Sequence, residues 1–181
     1  MSVIYLDNNA TTQVAEEVLE AMLPYFREFY GNPSSMHTFG GQVGQKIRAA
    51  REQVAALIGA LPEEIIFTSC GTESDNSAIR SALTTQPDKK HIVTSRVEHP
   101  AVRALCAHLA TQGYRITELP VDKNGILDLE NLEKSMTPDT AVVSLMWGNN
   151  ETGVIFPVEE AAAMAHDRGI LFHTDAVQTV G

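Results

Sequence analysis

The chain has 181 residues and a mass of 19.7 kDa, with 44% apolar and 20% charged side chains, the length of one domain or of one domain and the start of another. Thirteen Lys and Arg against 23 Asp and Glu leave a formal charge of −10, which argues against a surface built to track nucleic-acid phosphates, and no run approaches the roughly 18 apolar residues that span a bilayer. Two widely spaced cysteines, Cys70 and Cys106, read as thiols of a reducing compartment, and the first nine residues have neither the basic region nor the apolar core of an export signal. A cytoplasmic protein with no nucleic-acid and no membrane partner is expected.

Residues 14–29 place Val14, Val18, Met22, Tyr25, Phe26 and Phe29 at helical spacing, and Pro24 is expected to kink or split that helix. The Gly-Asn-Pro-Ser-Ser stretch at 31–35 ends it. A second helix is predicted over 41–58 on the stripe Val43, Ile47, Ala50, Val54, Leu57 and Ile58, with Gly59 as its stop. From residue 64 onward, short apolar runs alternate with amphipathic segments, the pattern of a parallel sheet with crossover helices. Strands are predicted at 64–69, 91–95, 114–119, 140–147 and 169–174, helices at 73–84, 100–111, 128–136 and 157–167, and a turn at 122–125. There is no internal repeat, low-complexity tract or linker.

An open α/β sheet binds its ligands beyond the carboxyl ends of its strands, and in this chain those positions are rich in polar groups. They carry Cys70-Gly71-Thr72-Glu73-Ser74, then Glu98-His99, then residues 148–153 with Asn149 and Asn150, then Asp175 and Gln178. Gly71 to Ser74 stand where a strand turns into a helix, so backbone N–H groups, hydroxyls and the positive helix end suit a phosphate; a simple helix cap is the plainer alternative. The stretch lacks the lysine of a nucleotide P-loop and the glycine spacing of a dinucleotide fingerprint, which counts against an oxidoreductase of the dinucleotide-binding kind. Asp175 ends an apolar strand, where a carboxylate must meet a cation or strong donor; a cap or a core ion pair would also satisfy it. His99 precedes Pro100 and fits the first turn of a helix. The other histidines show no metal-ligand spacing, and no metal site is predicted. Taken together, the phosphate-type turn, the imidazole, the amide loop and the acid describe a site for a phosphorylated aromatic cofactor.

Those parts are the parts of a pyridoxal-phosphate site, and the sequence resembles the cysteine desulfurases of the class V aminotransferase group, most closely the nitrogen-fixation type. The matching stretches are YLDNNATT at 5–12, GNPSS at 31–35, FTSCGTESD at 67–75, VEHPAV at 97–102, NNETG at 149–153 and FHTDAVQ at 172–178. The resemblance implies an α/β fold, the large domain of pyridoxal-phosphate fold type I, with a mostly parallel sheet, helices on both faces and a C-terminal side truncated here. Residues 1–13 would form a segment near the active site and 14–181 the N-terminal part of the cofactor domain. It implies that Gly71 and Thr72 hold the cofactor phosphate, that His99 stacks on the ring and shuttles protons, that Asp175 pairs with the ring nitrogen, and that Asn150 and Gln178 contact the ring oxygen and the neighbouring substrate region.

The implied activity removes sulfur from L-cysteine, giving L-alanine and a persulfide on an enzyme cysteine. The enzyme would be a homodimer, and the sulfur would go to an iron–sulfur scaffold protein serving nitrogenase assembly. In the family, both the cofactor lysine and the persulfide cysteine come later than Gly181, so the chain alone is expected to be inactive. None of its five lysines stands at a strand's carboxyl end. Cys70 falls inside the cofactor motif and is expected to be a partly buried structural thiol, as is Cys106. The other reading is a non-catalytic module that binds a desulfurase subunit or a scaffold protein.

Overall fold

Four short runs pair into one parallel sheet in the computed structural model, which describes residues 3–180. The strands are β1 (His91–Ser95), β2 (Arg115–Leu119), β3 (Thr140–Ser144) and β4 (Leu171–His173), in the order β2-β1-β3-β4. All three pairings are parallel, and the last matched pair between β1 and β3 is Thr94 with Ser144. Because β1 has β2 on one side and β3 on the other, the order reverses between β1 and β3. The crevice beyond their carboxyl ends is therefore the place where such a sheet takes a ligand.

Alternate side chains of a strand face opposite ways, and here each set meets its own pair of helices. Ile92 and Val142 pack with Ile79, Val102 and Leu105, which belong to α3 (Gly71–Thr85) and α4 (Pro100–Thr111). Val93 and Val143 pack with Leu132, Ala161 and Ala165, from α5 (Leu129–Ser135) and α6 (Val158–His166). Every residue of β1 and β3 is buried, as befits central parallel strands covered on both faces. At the amino end of β1, away from the crevice, buried His91 meets Thr140 Oγ1 through Nδ1 at 2.8 Å and Thr117 Oγ1 through Nε2 at 2.9 Å. Burial and the Arg115 charge push its pKa down to about 4, so this histidine is neutral.

These strands and helices form one compact unit, residues 68–180; residues 3–67 form another. In the latter, α1 (Glu16–Arg27) runs through Pro24 without splitting. The proline lies near its end, where it forgoes one amide bond while its carbonyl accepts from Glu28 N at 2.7 Å and Phe29 N at 2.9 Å. The next helix, α2 (Thr38–Ile58), begins three residues before 41, because His37 Nδ1 accepts from Gly40 N at 3.1 Å and caps it. Gly59, at φ +69°, ends it in the left-handed conformation that suits glycine.

The strand predicted at 64–69 does not form. Pro62–Glu64 is a 3-10 turn, and 65–68 is extended but unpaired with any strand among the described residues. Its backbone groups bond elsewhere: Glu64 N donates to Leu61 O, Ile65 N to Pro62 O, and the Ile65 carbonyl accepts from the Arg51 guanidinium. The regular parts of β3 and β4 are also shorter than 140–147 and 169–174. Beyond Ser144 and His173 they stay linked by Leu145 N to His173 O at 3.0 Å and Trp147 N to Asp175 O at 2.9 Å. No helix of the described residues is long and apolar enough to cross a membrane.

Candidate active site

Four segments meet at the carboxyl end of the sheet. The turn after β1 carries Glu98 and His99. His99 is the N-cap of α4, its Nδ1 accepting from Ala101 N at 3.2 Å, with Pro100 at the first helical position. That acceptor role places any proton of the neutral ring on Nε2, and the side chain is exposed. Glu98, only 3% exposed, turns the other way: its Oε1 accepts from Ser95 Oγ at 2.6 Å and from Met146 N at 3.0 Å. Burial pushes its pKa up to about 7, and those two bonds only partly oppose the rise.

The turn after β3 is organised by Asn149, 8% exposed, whose Oδ1 accepts from Glu151 N at 3.0 Å, Thr152 N at 2.9 Å and Thr152 Oγ1 at 3.0 Å. Its Nδ2 donates to Val97 O, at 3.1 Å, across the crevice. Asn149 is thus spent on shaping the turn, and Asn150 is the half-buried amide beside it. Gly148 is required by a close approach: a Cβ there would lie 2.6 Å from Thr179 Cγ2 and 3.7 Å from Gln178 Cβ. This brings the turn after β4, with Asp175 and Gln178, against the turn after β3. Asp175 is half-buried, and its Oδ1 accepts from Val177 N at 3.1 Å.

The fourth segment is the start of α3. No side chain caps it: its N-cap is Cys70, and Gly71 and Thr72 are the first two helical residues. A Cβ on Gly71 would meet Val177 Cγ2 at 3.4 Å, so the helix start adjoins the Asp175 turn. The expectation for Cys70 is corrected: it is exposed, not partly buried. The amides of Glu73 and Thr72 and the Ser69 hydroxyl hold its thiol below the ordinary range, as a helix N-terminus does. Cys106 is buried, and burial pushes its thiol up to about 12.

The sheet thus brings Gly71, Thr72, Asp175 and Gln178 into one set of neighbouring turns, and His99 with Asn150 into the wall of a cleft of about 560 Å3 that Arg103 and Lys123 also line. Gly71, Thr72, Asp175 and Gln178 do not line that cleft; the turn after β3 joins the two regions, through Trp147 N donating to Asp175 O and Gly148 packed against Thr179 and Gln178. Fully buried acids are elsewhere than expected. The desolvation invoked for Asp175 falls instead on Glu98 and on Asp75, 4% exposed on α3. Asp75 Oδ1 lies 3.5 Å from His173 Nε2 on β4, and His173 Nδ1 lies 2.9 Å from Ser144 Oγ on β3. A signal for Asp75 was present: with Ile79, Ala82 and Leu83 it lies on the one buried stripe of α3, where a carboxylate needs a partner.

A parallel sheet with helices on both faces and polar groups gathered at its switch point has the form of an α/β ligand-binding domain. The chain belongs to the class V aminotransferase family, whose model matches residues 4–181. It is 62% identical over 181 residues to a cysteine desulfurase of Trichormus azollae and 59% identical over 182 residues to the cysteine desulfurase NifS of Azotobacter vinelandii, in each case over 100% of this chain and 45% of the relative. The solved structure of a NifS-like protein superposes with a TM-score of 0.93 at 43% identity, over 97% of this chain and 49% of that one. The chain therefore spans about half the length of these relatives.

The family uses pyridoxal phosphate, and the donor set fits it. An uncapped helix start with Gly71 and Thr72 suits a phosphate, exposed His99 offers a ring face, and Asp175 offers a carboxylate for a protonated ring nitrogen.

Proposed function

We propose that this chain is the N-terminal part of a pyridoxal-phosphate-dependent cysteine desulfurase of the nitrogen-fixation type, acting in the cytoplasm as a homodimer. What carries the reading is the convergence of four segments, from the start of α3 and the turns after β1, β3 and β4, in a chain closely related to desulfurases along its whole length.

In this reading Gly71 and Thr72 direct backbone and hydroxyl donors at the cofactor phosphate, where the helix's positive end favours the charge. Asp175 keeps a proton on the ring nitrogen, since an adjacent carboxylate raises that nitrogen's pKa. His99 stacks on the ring and moves protons through Nε2, its Nδ1 being engaged by Ala101 N. Asn150 and Gln178 contact the ring oxygen and the substrate region. The bound cofactor supplies an electron sink for bonds at the substrate's α-carbon. The Cβ–S bond of L-cysteine breaks and an S–S bond forms on an enzyme thiol, with Cβ taking up the proton the thiol gives up. The products are L-alanine and a persulfide, whose outer sulfur goes to an iron–sulfur scaffold protein for nitrogenase clusters. The cofactor-anchoring lysine and the sulfur-accepting cysteine are residues outside 1–181.

The test is to express a full-length protein carrying these residues and measure bound cofactor, alanine and sulfide. Asp175→Asn should lower turnover about a hundredfold or more, the scale for removing one preorganised charge contact, while most of the cofactor stays bound. Near wild-type turnover with cofactor bound would refute the role of Asp175. Alanine or sulfide production by residues 1–181 alone would refute the placement of the missing groups.

A further inference from the structure

We propose that Glu98 is a positioning residue of this site, holding the turn that carries His99 and the turn that carries Asn149 and Asn150 at one separation across the crevice between β1 and β3. The regular ladder between these strands ends at Thr94 and Ser144, and beyond that point the two chains part to make the crevice. The Glu98 carboxyl stands where the ladder stops. Its Oε1 takes Ser95 Oγ, at 2.6 Å, from its own turn and Met146 N, at 3.0 Å, from the opposite one. A second bond runs the other way, from Asn149 Nδ2 to Val97 O at 3.1 Å. Both turns are walls of the same cleft, so this pair of bonds sets its width.

The side chain's chemistry fits a clamp better than an ion pair. Among the described residues no Lys or Arg is paired with Glu98, and Oε2 is buried without a hydrogen-bond partner. The charged groups felt from β4 and the turn after it are of opposite tendency, His173 favouring the anion and Asp175 opposing it. A carboxyl held at about 7 is mostly protonated on the acid side of neutrality. The neutral acid has the shape of glutamine, whose amide oxygen can accept both Ser95 Oγ and Met146 N.

The inference rests on the reading of His99 and Asn150 as cofactor contacts, and the experiment separates the two. In the full-length protein, Glu98→Ala, Glu98→Gln and Ser95→Ala are compared by amide hydrogen exchange over residues 96–99 and 146–152, by pyridoxal-phosphate titration with the visible circular dichroism of the bound cofactor, and by kcat and KM for cysteine. Glu98→Ala leaves two buried donors without their acceptor, so exchange in both turns should rise together while Val93 and Val143 stay protected. Cofactor affinity should fall about tenfold or more, the consequence of unsatisfied buried groups, and the dichroic band should change. Ser95→Ala should lie between Glu98→Ala and wild type. Glu98→Gln should recover most of the loss in every readout. Exchange that rises in one turn only, a wild-type dichroic band and affinity in Glu98→Ala, or a Glu98→Gln variant as impaired as Glu98→Ala would each overturn the proposal. A wild-type protein that binds no cofactor would instead refute the functional reading, while the coupled exchange of the two turns would still decide the clamp.

Discussion

Replacing Glu98 with Gln should flatten part of the pH dependence of stability. In the folded protein burial holds this carboxyl at about 7, against an ordinary value of 4.5. Between those values the folded state keeps a proton that the unfolded state has lost, so stability falls as pH rises through that window and levels off above it. A tenfold difference in proton affinity is worth ~1.4 kcal/mol, so the full displacement corresponds to about 3 kcal/mol. Glutamine cannot ionise, and the other groups of the network, Asp75, Asp175 and His173, are the same in both proteins. Urea unfolding of the two forms at pH 5, 6, 7 and 8, followed by fluorescence of Trp147, which is bonded to Met146, measures the difference. The wild type should lose about 2–3 kcal/mol relative to Glu98→Gln between pH 5 and 8, most of it by pH 7. Parallel curves for the two proteins would refute the assignment of a protonated, buried Glu98.

Three further outcomes follow from particular residues. At pH 7.5 iodoacetamide should alkylate Cys70, exposed and acidified by the start of α3, far ahead of Cys106, buried and held near 12; peptide mass spectrometry reads the ratio, and saturating pyridoxal phosphate should slow the Cys70 reaction by occupying the same amides. Ile79→Ala empties a fully buried position between α3 and the sheet, and denaturant unfolding should show a loss of about 2–5 kcal/mol. His91, with its pKa lowered to about 4, should make the fold less stable as pH falls from 6.5 towards 4, because the unfolded state takes up the proton first; a titration of its ring resonances showing protonation above pH 6 would contradict this.

The positions of the polar groups were more legible than the elements that hold them. His99, with Pro100 behind it, reads as fitting the first turn of a helix, and it stands one residue earlier, as the N-cap. The strand at 91–95 is found at those residues, where Ile92 and Val93 give each face of a buried central strand an apolar side chain. Residues 65–68 share the apolar character of a strand, yet pairing depends on neighbours that a local pattern does not contain, and Arg51 takes the Ile65 carbonyl instead. The same limit hid the role of Glu98. It stands next to His99 in the sequence, but its partner Met146 lies 48 residues away, and only the strand order makes them adjacent. Cys70 was misjudged because its exposure is a property of the folded turn at the start of α3 and not of composition.

The strand order also has a consequence for synthesis. β1 and β2 are joined through α4 and can pair early, but β3 and β4 must then add on the far side of β1, and loop closure over such distances slows folding. On a ribosome, His99 leaves the exit tunnel well before Asn150, and Asp175 and Gln178 leave later still. For that interval the crevice has one wall, and the Glu98 carboxyl lacks the Met146 amide that will accompany it in the finished fold. Pairing of β3 with β1 and closure of the crevice between them are therefore one event, and a ligand arriving before it would find only one of its walls.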